Sequence, residues 1–553
     1  MFRKLLMTAT FLISGILCSG VNVNNGNFYI AYTDFIFPND GISPEITRTY
    51  NSRSSFVQGA LGVGWSSEYE SFLSFKNKVP TLHEAGGGNN ILFSQEGPGR
   101  WINKEYGIQK IEAISMKQNG SDVEKASFYK KLGAPLKKDV AFRLTRANGR
   151  KMIFNDYGQL LRMSDANKNF LDFHYKNKTL VKIQDNFSNQ VHLKWKNFGG
   201  FKRIVLVESG DKKSRYRYSQ AGDLLSSKGM DGSTFEYDYD DEHNLIKISY
   251  ANGAFKKIGY NKVKDWVTSF RDIDGVNSQY GYYSDSVDPE NKFGTALTRT
   301  HPGESFKEEA RFWYEFRKRP DNTKYNYRSV TLFQDLVTET VFTACCGTPL
   351  SIAQWNLDKK AQLDQKSSAW MKTSGKKFVT KFSYDSEGML EEKVFPNGKK
   401  LSISYHPESK KIKEIVNGSQ RVAYEYDDSL NLASAFDYSQ GNRLDFVYDY
   451  SGKVTAVLQK DLKSQAEVSK LYFKYDSDGR PLEVKEKMKL GSAQTLKFKY
   501  GSQGEVLEIL NAKGRAVASE PELSSTKRVY ATFQQIIDVV QPSGIGLDAE
   551  RAL

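Results

Sequence analysis

Aromatic residues recur along this chain at intervals of about 21 residues, and this spacing most constrains its fold. The first array, spaced by 21, 20, 23, 21, 21 and 22 residues, comprises Phe154, Tyr175, Trp195, Tyr218, Tyr239, Tyr260 and Tyr282. The second array, spaced by 21, 21, 22, 27 and 25 residues, comprises Tyr384, Tyr405, Tyr426, Tyr448, Tyr475 and Tyr500. A period in this range indicates a repeat architecture with one supersecondary unit per repeat.

Each unit contains two turn signals. The first follows the aromatic residue and is clearest at Tyr384-Asp385 with Gly388, and at Tyr475-Asp476 with Gly479. Asp favours the first position of a turn and Gly the left-handed position. The second signal lies half a repeat later and comprises the dipeptides at 231–232, 252–253, 274–275, 397–398 and 417–418, all Asn-Gly or Asp-Gly. These dipeptides favour tight hairpins, so one repeat predicts two antiparallel strands.

The strands alternate apolar and polar residues, as in Leu401, Ile403 and Tyr405. Such alternation predicts a sheet with one apolar and one wet face. A flat ribbon of many repeats would expose the entire apolar face to water. We therefore predict an all-β protein: an antiparallel repeat sheet of Tyr-Asp hairpins curled into a spiral or partial shell, with a short C-terminal helix.

The Tyr-Asp-x-x-Gly-x-Leu pattern resembles the YD repeats of RHS proteins. Residues 21–70 look like the domain that precedes such repeats, through Thr33-Asp34, Pro44, the run from Thr47 to Arg53, and Leu61-Gly62-Val63-Gly64-Trp65-Ser66. The resemblance covers about residues 21–511. It implies a spiralling β-sheet, which in this family is often a hollow shell around a cargo polypeptide in toxin systems.

The chain also departs from shell-forming RHS proteins, because neither their self-cleavage motif nor a variable toxin domain is visible. The tail instead predicts an amphipathic helix at residues 526–540, with apolar positions Val529, Phe533, Ile536, Ile537 and Val540. This helix is expected to cap the sheet or to dock a partner protein.

Six segments follow from these patterns. They are a signal peptide (1–20), an N-terminal RHS-associated β domain (21–140), a first YD-repeat array (141–285), an irregular insert or degenerate repeats (286–380), a second YD-repeat array (381–511) and a C-terminal helical tail (512–553).

The first residues predict export. Arg3 and Lys4 precede an apolar run over residues 5–17, and cleavage is expected near Gly20. Lipidation of Cys18 is an alternative. The apolar run is too short for a membrane span, so the chain is predicted to reach the periplasm, the cell surface or the medium without spanning a membrane.

The only other cysteines, Cys345 and Cys346, are adjacent, so no disulfide framework is expected. They are interpreted as two ordinary thiols in a turn, with a vicinal disulfide or an incomplete metal site as alternatives.

The candidate ligand site lies in residues 286–380, where aromatic and basic side chains alternate. Its members are Trp313, Tyr314, Arg317, Lys318, Arg319, Tyr325, Tyr327 and Arg328. Such a set can stack on sugars or bases and neutralise anions, although degenerate strands with aromatics on one face would look the same. The formal net charge of +14 favours a polyanionic partner such as a polysaccharide, unless the charge is spread over solvated strand faces.

No catalytic constellation appears in the sequence. The six histidines show no metal-ligand spacing, and the acidic run Asp238, Asp240, Asp241 and Glu242 lacks the spacing of a calcium loop. We predict no cofactor, no metal and no enzymatic activity. The leading hypothesis is an exported scaffold for surface, envelope or cell-cell interaction; the alternative is a shell component of a toxin system whose activity resides on another chain.

Overall fold

A computed structural model describes residues 20–514, except 38, 40, 56, 87–88, 104–108, 117–122, 126–139, 147–148, 156, 166–167, 321, 346, 358–375, 387, 450–452, 476–480, 489–493, 501–505 and 512–513. The expected signal peptide and the expected C-terminal helix therefore lie outside the described residues.

The described chain is built from β-strands and two short 3-10 turns, Ser52–Ser54 and Glu68–Glu70. The N-terminal strands are β1 Gly20–Asn22, β2 Asn27–Ile36, β3 Glu45–Asn51, β4 Gln58–Gly59, β5 Gly62–Val63, β6 Trp65–Ser66, β7 Phe72–Lys76, β8 Val79–His83 and β9 Asn90–Leu92.

The next strands form the first half of a long sheet. They are β10 Ser94–Gly97, β11 Arg100–Asn103, β12 Gln109–Met116, β13 Val123–Lys125, β14 Val140–Arg146, β15 Lys151–Phe154, β16 Leu160–Ser164, β17 Phe170–Lys176, β18 Thr179–Asp185, β19 Gln190–Phe198, β20 Phe201–Ser209, β21 Lys212–Tyr218, β22 Leu224–Lys228, β23 Thr234–Tyr239, β24 Leu245–Tyr250, β25 Phe255–Asn261, β26 Trp266–Arg271 and β27 Asn277–Ser284.

The remaining strands continue the same sheet. They are β28 Lys292–Thr300, β29 Lys307–Lys318, β30 Lys324–Phe333, β31 Leu336–Phe342, β32 Pro349–Asn356, β33 Phe378–Tyr384, β34 Leu390–Val394, β35 Lys400–Tyr405, β36 Ile412–Asn417, β37 Gln420–Tyr426, β38 Leu432–Asp437, β39 Asn442–Tyr448, β40 Val454–Asp461, β41 Glu467–Tyr475, β42 Pro481–Met488, β43 Gln494–Tyr500 and β44 Val506–Asn511.

Within the described residues, β10 to β44 form one 35-stranded antiparallel sheet in which neighbours in sequence are neighbours in space. Three small sheets precede it: β1-β2-β3-β6, β4-β5 and β7-β8-β9. The prediction of an all-β antiparallel sheet is confirmed. Segment 286–380, where the Tyr and Gly spacing breaks down, continues the sheet through β28 to β32 with long strands of up to 12 residues.

The two turn signals produce the two hairpin connections of each repeat. At the first, the Asp385 side chain accepts a hydrogen bond from the Met389 N–H (2.8 Å), and Gly388 has a φ of +85°. At the second, the Asn252 side chain accepts from the Ala254 N–H (3.1 Å), and Gly253 has a φ of +83°. Asp476 and Gly479 lie outside the described residues.

The repeat aromatic residue lies at a β-bulge, a position at which the register shifts by one residue. Such shifts occur at Tyr175, Tyr218, Tyr239, Tyr260, Tyr384, Tyr405, Tyr426, Tyr448, Tyr475 and Tyr500. A bulge increases the local twist and bends the strand. Its recurrence from repeat to repeat bends the sheet many times along its length.

The N-terminal unit, residues 20–93, lies against the sheet from β11 to β28. At one end Phe75 contacts Trp101, and at the other the Thr295 hydroxyl donates to the Val23 carbonyl (2.6 Å). That stretch of strands would measure about 80 Å if it were flat, whereas a unit of this length is roughly 30 Å across. The sheet must therefore curve around the unit, as the curled-sheet prediction requires.

The apolar core follows this arrangement. Its largest cluster joins the N-terminal unit, for example Phe28 and Trp65, to sheet residues as far as Ala310. Strands β33 to β44 have a separate cluster of their own, centred on residues such as Leu401 and Leu471. Half-buried repeat tyrosines pack against that second cluster and shield its apolar side chains from water.

Candidate functional site

The eight residues of the predicted ligand site lie on β29 and β30 and in the turn between them. The two strands are antiparallel neighbours, with Arg317 opposite Tyr325 and Trp313 opposite Val330. The structure therefore brings the whole set together on one hairpin. It also divides the set into two groups, one inside the sheet core and one at the exposed end of the hairpin.

Trp313, Tyr314 and Arg328 form the inner group. Trp313 is only 3% exposed and stacks on Tyr283 at 5.8 Å between ring centroids. Tyr314 is half-buried, and burial raises the pKa of its hydroxyl. Neither side chain presents a broad face to solvent, so both act as packing residues.

The Arg328 guanidinium lies between two carboxylates. It donates to Glu315 (2.7 Å) and to Glu339 (2.5 Å). Burial alone would lower the pKa of Arg328, but the two carboxylates raise it above its ordinary value. Its charge is therefore neutralised within the protein.

The outer group, here called the Arg317 patch, comprises Arg317, Lys318, Arg319, Tyr325 and Tyr327. The Arg317 guanidinium lies 3.3 Å from the centroid of the Tyr327 ring, and that of Arg319 lies 5.2 Å from the Tyr325 ring. Arg319 also donates to the Ala344 carbonyl (2.5 Å). Arginines held on aromatic faces suit the planar recognition of carboxylate, sulfate or phosphate groups.

The repeat tyrosines have a role that the sequence did not reveal. The Tyr405 hydroxyl donates to the Leu390 carbonyl (2.8 Å), and Trp195 makes the equivalent bond to Leu180 through its indole N–H (2.7 Å). The same type of bond, from the aromatic residue to a carbonyl of an earlier strand, is made by Tyr175, Tyr218, Tyr260, Tyr282, Tyr384, Tyr448 and Tyr475. These residues are therefore structural.

A buried ion pair in the N-terminal unit was also missed. The guanidinium of Arg48 donates to Asp34 (2.6 Å), and both side chains are at most 1% exposed. Arg48 also donates to Ser227 of the sheet (2.8 Å) and lies over the Trp65 ring at 4.6 Å. Thr33-Asp34 and Thr47-Arg48 belong to the sequence motifs of residues 21–70, but only the pairing of β2 with β3 brings Asp34 and Arg48 together.

Glu70 is a second buried group of this unit. Its carboxylate accepts from the backbone N–H groups of Ala60 (2.7 Å) and Ser67 (2.8 Å). Burial raises the pKa of Glu70 to about 7, against the lowering effect of those two hydrogen bonds. The carboxylate thus holds the loop that contains Ala60, whose carbonyl accepts a hydrogen bond from the Ile204 N–H of the long sheet (2.9 Å).

A cavity of about 270 Å³ lies beside this loop, lined by Glu45, Thr47, Glu68, Glu84 and Arg146 among others. Arg146 pairs with Glu84 (2.5 Å) across it. The side chains that line it carry mainly hydroxyl and carboxylate groups. Among the described residues, no group of three or more histidine, cysteine, aspartate or glutamate side chains is arranged to hold a metal ion.

The remaining sequence features occupy ordinary positions. His243 forms a 2.7 Å contact with Asp223 that links successive repeat turns. Cys345 is an exposed thiol, and Cys346 lies outside the described residues. In the described part of the chain, no helix has the length and apolarity needed to cross a membrane.

Comparison with known protein families gives a match that covers the N-terminal unit. The matching family model, described as a domain of unknown function (DUF6531), covers residues 19–93. A search of curated proteins gives no match.

The solved structures that match this chain include those of Tc toxin complexes. The crystal structure of TcdB2-TccC3-Cdc42 has a TM-score of 0.44 and 10% identity, covering 84% of this chain and 24% of that one. A Tc holotoxin pore from Photorhabdus luminescens has a TM-score of 0.43 and 9% identity, covering 89% of this chain and 26% of that one. This chain thus spans about a quarter of their length, and scores this low do not extend their activity or partners to it.

Proposed function

We propose that this protein is an exported RHS/YD-repeat scaffold that acts by binding at the cell surface or envelope, without a catalytic step. The observation that carries this proposal is the N-terminal unit seated on the apolar face of the sheet. From β11 to β28 the N-terminal unit occupies the concave side of the sheet, and the buried Arg48–Asp34 pair lies within that unit. A sheet filled in this way presents its outer face and its hairpin ends to partners.

The Arg317 patch is the proposed contact for an anionic partner at one hairpin end. Its arginines and tyrosines are already stacked, so binding need not order them first, and this reduces the entropic cost of association. The neighbouring Arg328 is already paired with Glu315 and Glu339. Its role is therefore to stabilise the hairpin that carries the patch, not to bind the ligand.

The test combines location with binding. A C-terminally tagged protein should be found in the periplasm, at the surface or in the medium, with an N-terminus near Gly20. The purified protein should bind isolated envelope material. Arg317→Ala/Lys318→Ala/Arg319→Ala should weaken that binding, whereas the charge-matched Lys212→Ala/Lys213→Ala/Arg215→Ala on exposed positions of β21 should not. A cytoplasmic location, or no binding to envelope material, would refute the proposal.

A second candidate is a shell component of a toxin system. It is favoured by one observation: the N-terminal unit reaches only as far as β28, and β33 to β44 form a cluster of their own. Another polypeptide would then lie along that second half. Affinity purification from the producing cells distinguishes the two, because only a shell component should retain a small partner chain in constant ratio.

A further inference from the structure

On the outer face of the second half of the sheet, most cations are paired. Lys400 contacts Glu392 (3.0 Å), and Arg421 contacts Glu414 (2.6 Å). Two strands further along, the Asp445 carboxylate pairs with both Arg443 and Lys460 (2.7 Å each). From β34 to β40, therefore, these positive charges are neutralised by carboxylates on the same face.

On strands β41 to β43, by contrast, several lysines of the outer face are not paired with described carboxylates. Lys470, Lys485, Lys487 and Lys497 make no ion pair with any described residue. Glu483 is the cross-strand partner of Lys497, but its carboxylate is engaged by Lys474 (3.1 Å). The four lysines point away from the core, since the alternating residues Leu471, Val484 and Leu496 are fully buried. The face thus concentrates uncompensated positive charge in one place.

The register brings two of these charges directly together. Lys470 is the cross-strand partner of Lys487, and Tyr472 is the partner of Lys485. Like charges directly opposite each other destabilise a sheet. Tyr472, 39% exposed, lies among the lysines with the Lys470 ammonium 5.0 Å from its ring. Such a cluster is compensated when an anionic ligand supplies the missing negative charges.

We infer that Lys470, Tyr472, Lys485, Lys487 and Lys497, here called the Lys470 face, bind an acidic polysaccharide with a carboxylate or sulfate on every one or two sugar units. This inference rests on the proposed binding function and names a ligand and a second site for it. The lysines span three strands, an area of about 10 by 14 Å at ordinary sheet spacings. The ammonium groups meet the repeated anionic groups, and the Tyr472 ring offers an apolar surface to one sugar ring.

The shape of the face argues against a nucleic acid. A groove of duplex DNA admits a helix or a two-stranded ribbon, and a broad sheet face fits neither groove. Single strands are held by successive stacked bases on several aromatic rings, whereas the described residues of this face include one exposed ring, that of Tyr472.

The experiment measures binding of the purified full chain to polygalacturonate, dextran sulfate, neutral dextran and an oligothymidylate, over a range of salt concentrations. Lys470→Gln/Lys485→Gln/Lys487→Gln/Lys497→Gln should weaken binding to both acidic polymers about tenfold or more, and should lower the slope of log affinity against log salt by roughly one unit per lysine. Tyr472→Ala should weaken binding with little change of that slope.

The control variant removes the same charge from exposed positions of the first half: Lys196→Gln/Lys212→Gln/Lys228→Gln/Lys257→Gln. It should bind the acidic polymers like the wild type. Equal loss in both variants would mean that diffuse net charge is responsible, and tighter binding of the oligothymidylate would reject the ligand class; either result overturns the inference.

Failure of this inference is separable from failure of the proposed function. A protein that binds envelope material but neither acidic polymer refutes the Lys470 face alone. A protein that binds no envelope material refutes both.

Discussion

The Tyr405 hydroxyl donates to the carbonyl of Leu390 (2.8 Å) at a point where the backbone ladder between β34 and β35 has ended. That ladder joins three residue pairs, from Val394 and Lys400 to Glu392 and Ser402. Beyond Glu392 the described residues of the two strands make no further pair, and the tyrosine side chain supplies the donor that a neighbouring amide would otherwise provide. The repeat tyrosine therefore closes the end of this inter-repeat ladder.

Tyr405→Phe should consequently leave the Leu390 carbonyl without its partner and destabilise β34 and β35 by about 1–3 kcal/mol. Hydrogen exchange of the amides of these two strands measures the effect. The chain provides its own control, because the buried Tyr426 hydroxyl has no hydrogen-bond partner among the described residues. Tyr426→Phe should leave exchange in β36 to β38 unchanged or slower. Equal losses at both positions would show that the hydroxyl bond is not what stabilises the repeat.

Asp34→Ala should be among the most damaging single substitutions in the N-terminal unit. It leaves the fully buried Arg48 guanidinium without its counter-charge, which costs about 3–5 kcal/mol when a buried pair loses one partner. Denaturant unfolding followed by tryptophan fluorescence reports the change, since Trp65 lies against Arg48. Glu414→Ala, which breaks the more exposed pair with Arg421, should cost less than about 1 kcal/mol. A similar small cost at Asp34 would contradict the anchoring role of the pair.

The repeat, its two turns and the all-β class were predictable because each depends on residues close in sequence. Asp385 and Gly388 shape their own turn, and alternation assigns each strand its apolar face. The missed features depend on contacts between distant residues. The Ser214 hydroxyl donates to the carbonyl of Asp34 (2.6 Å), and nothing in either local pattern indicates that the N-terminal unit will lie on β21.

The predicted ligand set shows the same limit. Composition alone grouped Trp313 and Arg328 with Arg317, because all are aromatic or basic. Their separation depends on where each residue lies along the β29–β30 hairpin and on the carboxylates of neighbouring strands, such as Glu339 on β31. The lysines of the Lys470 face likewise look like those elsewhere in the sequence, and only the three-dimensional structure shows which lysines form ion pairs, as Lys474 does with Glu483.

The stability of the N-terminal unit should depend on pH through Glu70. Burial raises the pKa of Glu70 to about 7 from an ordinary 4.5, so the folded state holds this proton more tightly than the unfolded state. The resulting stability is fully present below about pH 4.5 and is lost as the pH rises through about 7.

Comparison with a variant that cannot titrate at this position isolates the effect of Glu70. The melting temperature of the wild type minus that of Glu70→Gln should be larger at pH 5 than at pH 8. A difference that is constant, or that grows with pH, would contradict the raised pKa.

Docking of the N-terminal unit on the sheet should be sensitive to one glycine. Gly158 has a φ of +80°, and a Cβ there would lie 1.9 Å from the Leu73 carbonyl oxygen, while the Leu73 amide donates to the Gly158 carbonyl (2.9 Å). Gly158→Ala should therefore combine backbone strain of about 1–3 kcal/mol with displacement of β7 from the sheet.

Gly253 is the matched control, because its φ of +83° is similar but a Cβ added there would meet no described atom within 4 Å. Gly253→Ala should show the strain alone. Limited proteolysis between residues 70 and 93 should accelerate in Gly158→Ala only; equal acceleration in both variants would mean that the contact with Leu73 does not hold the unit on the sheet.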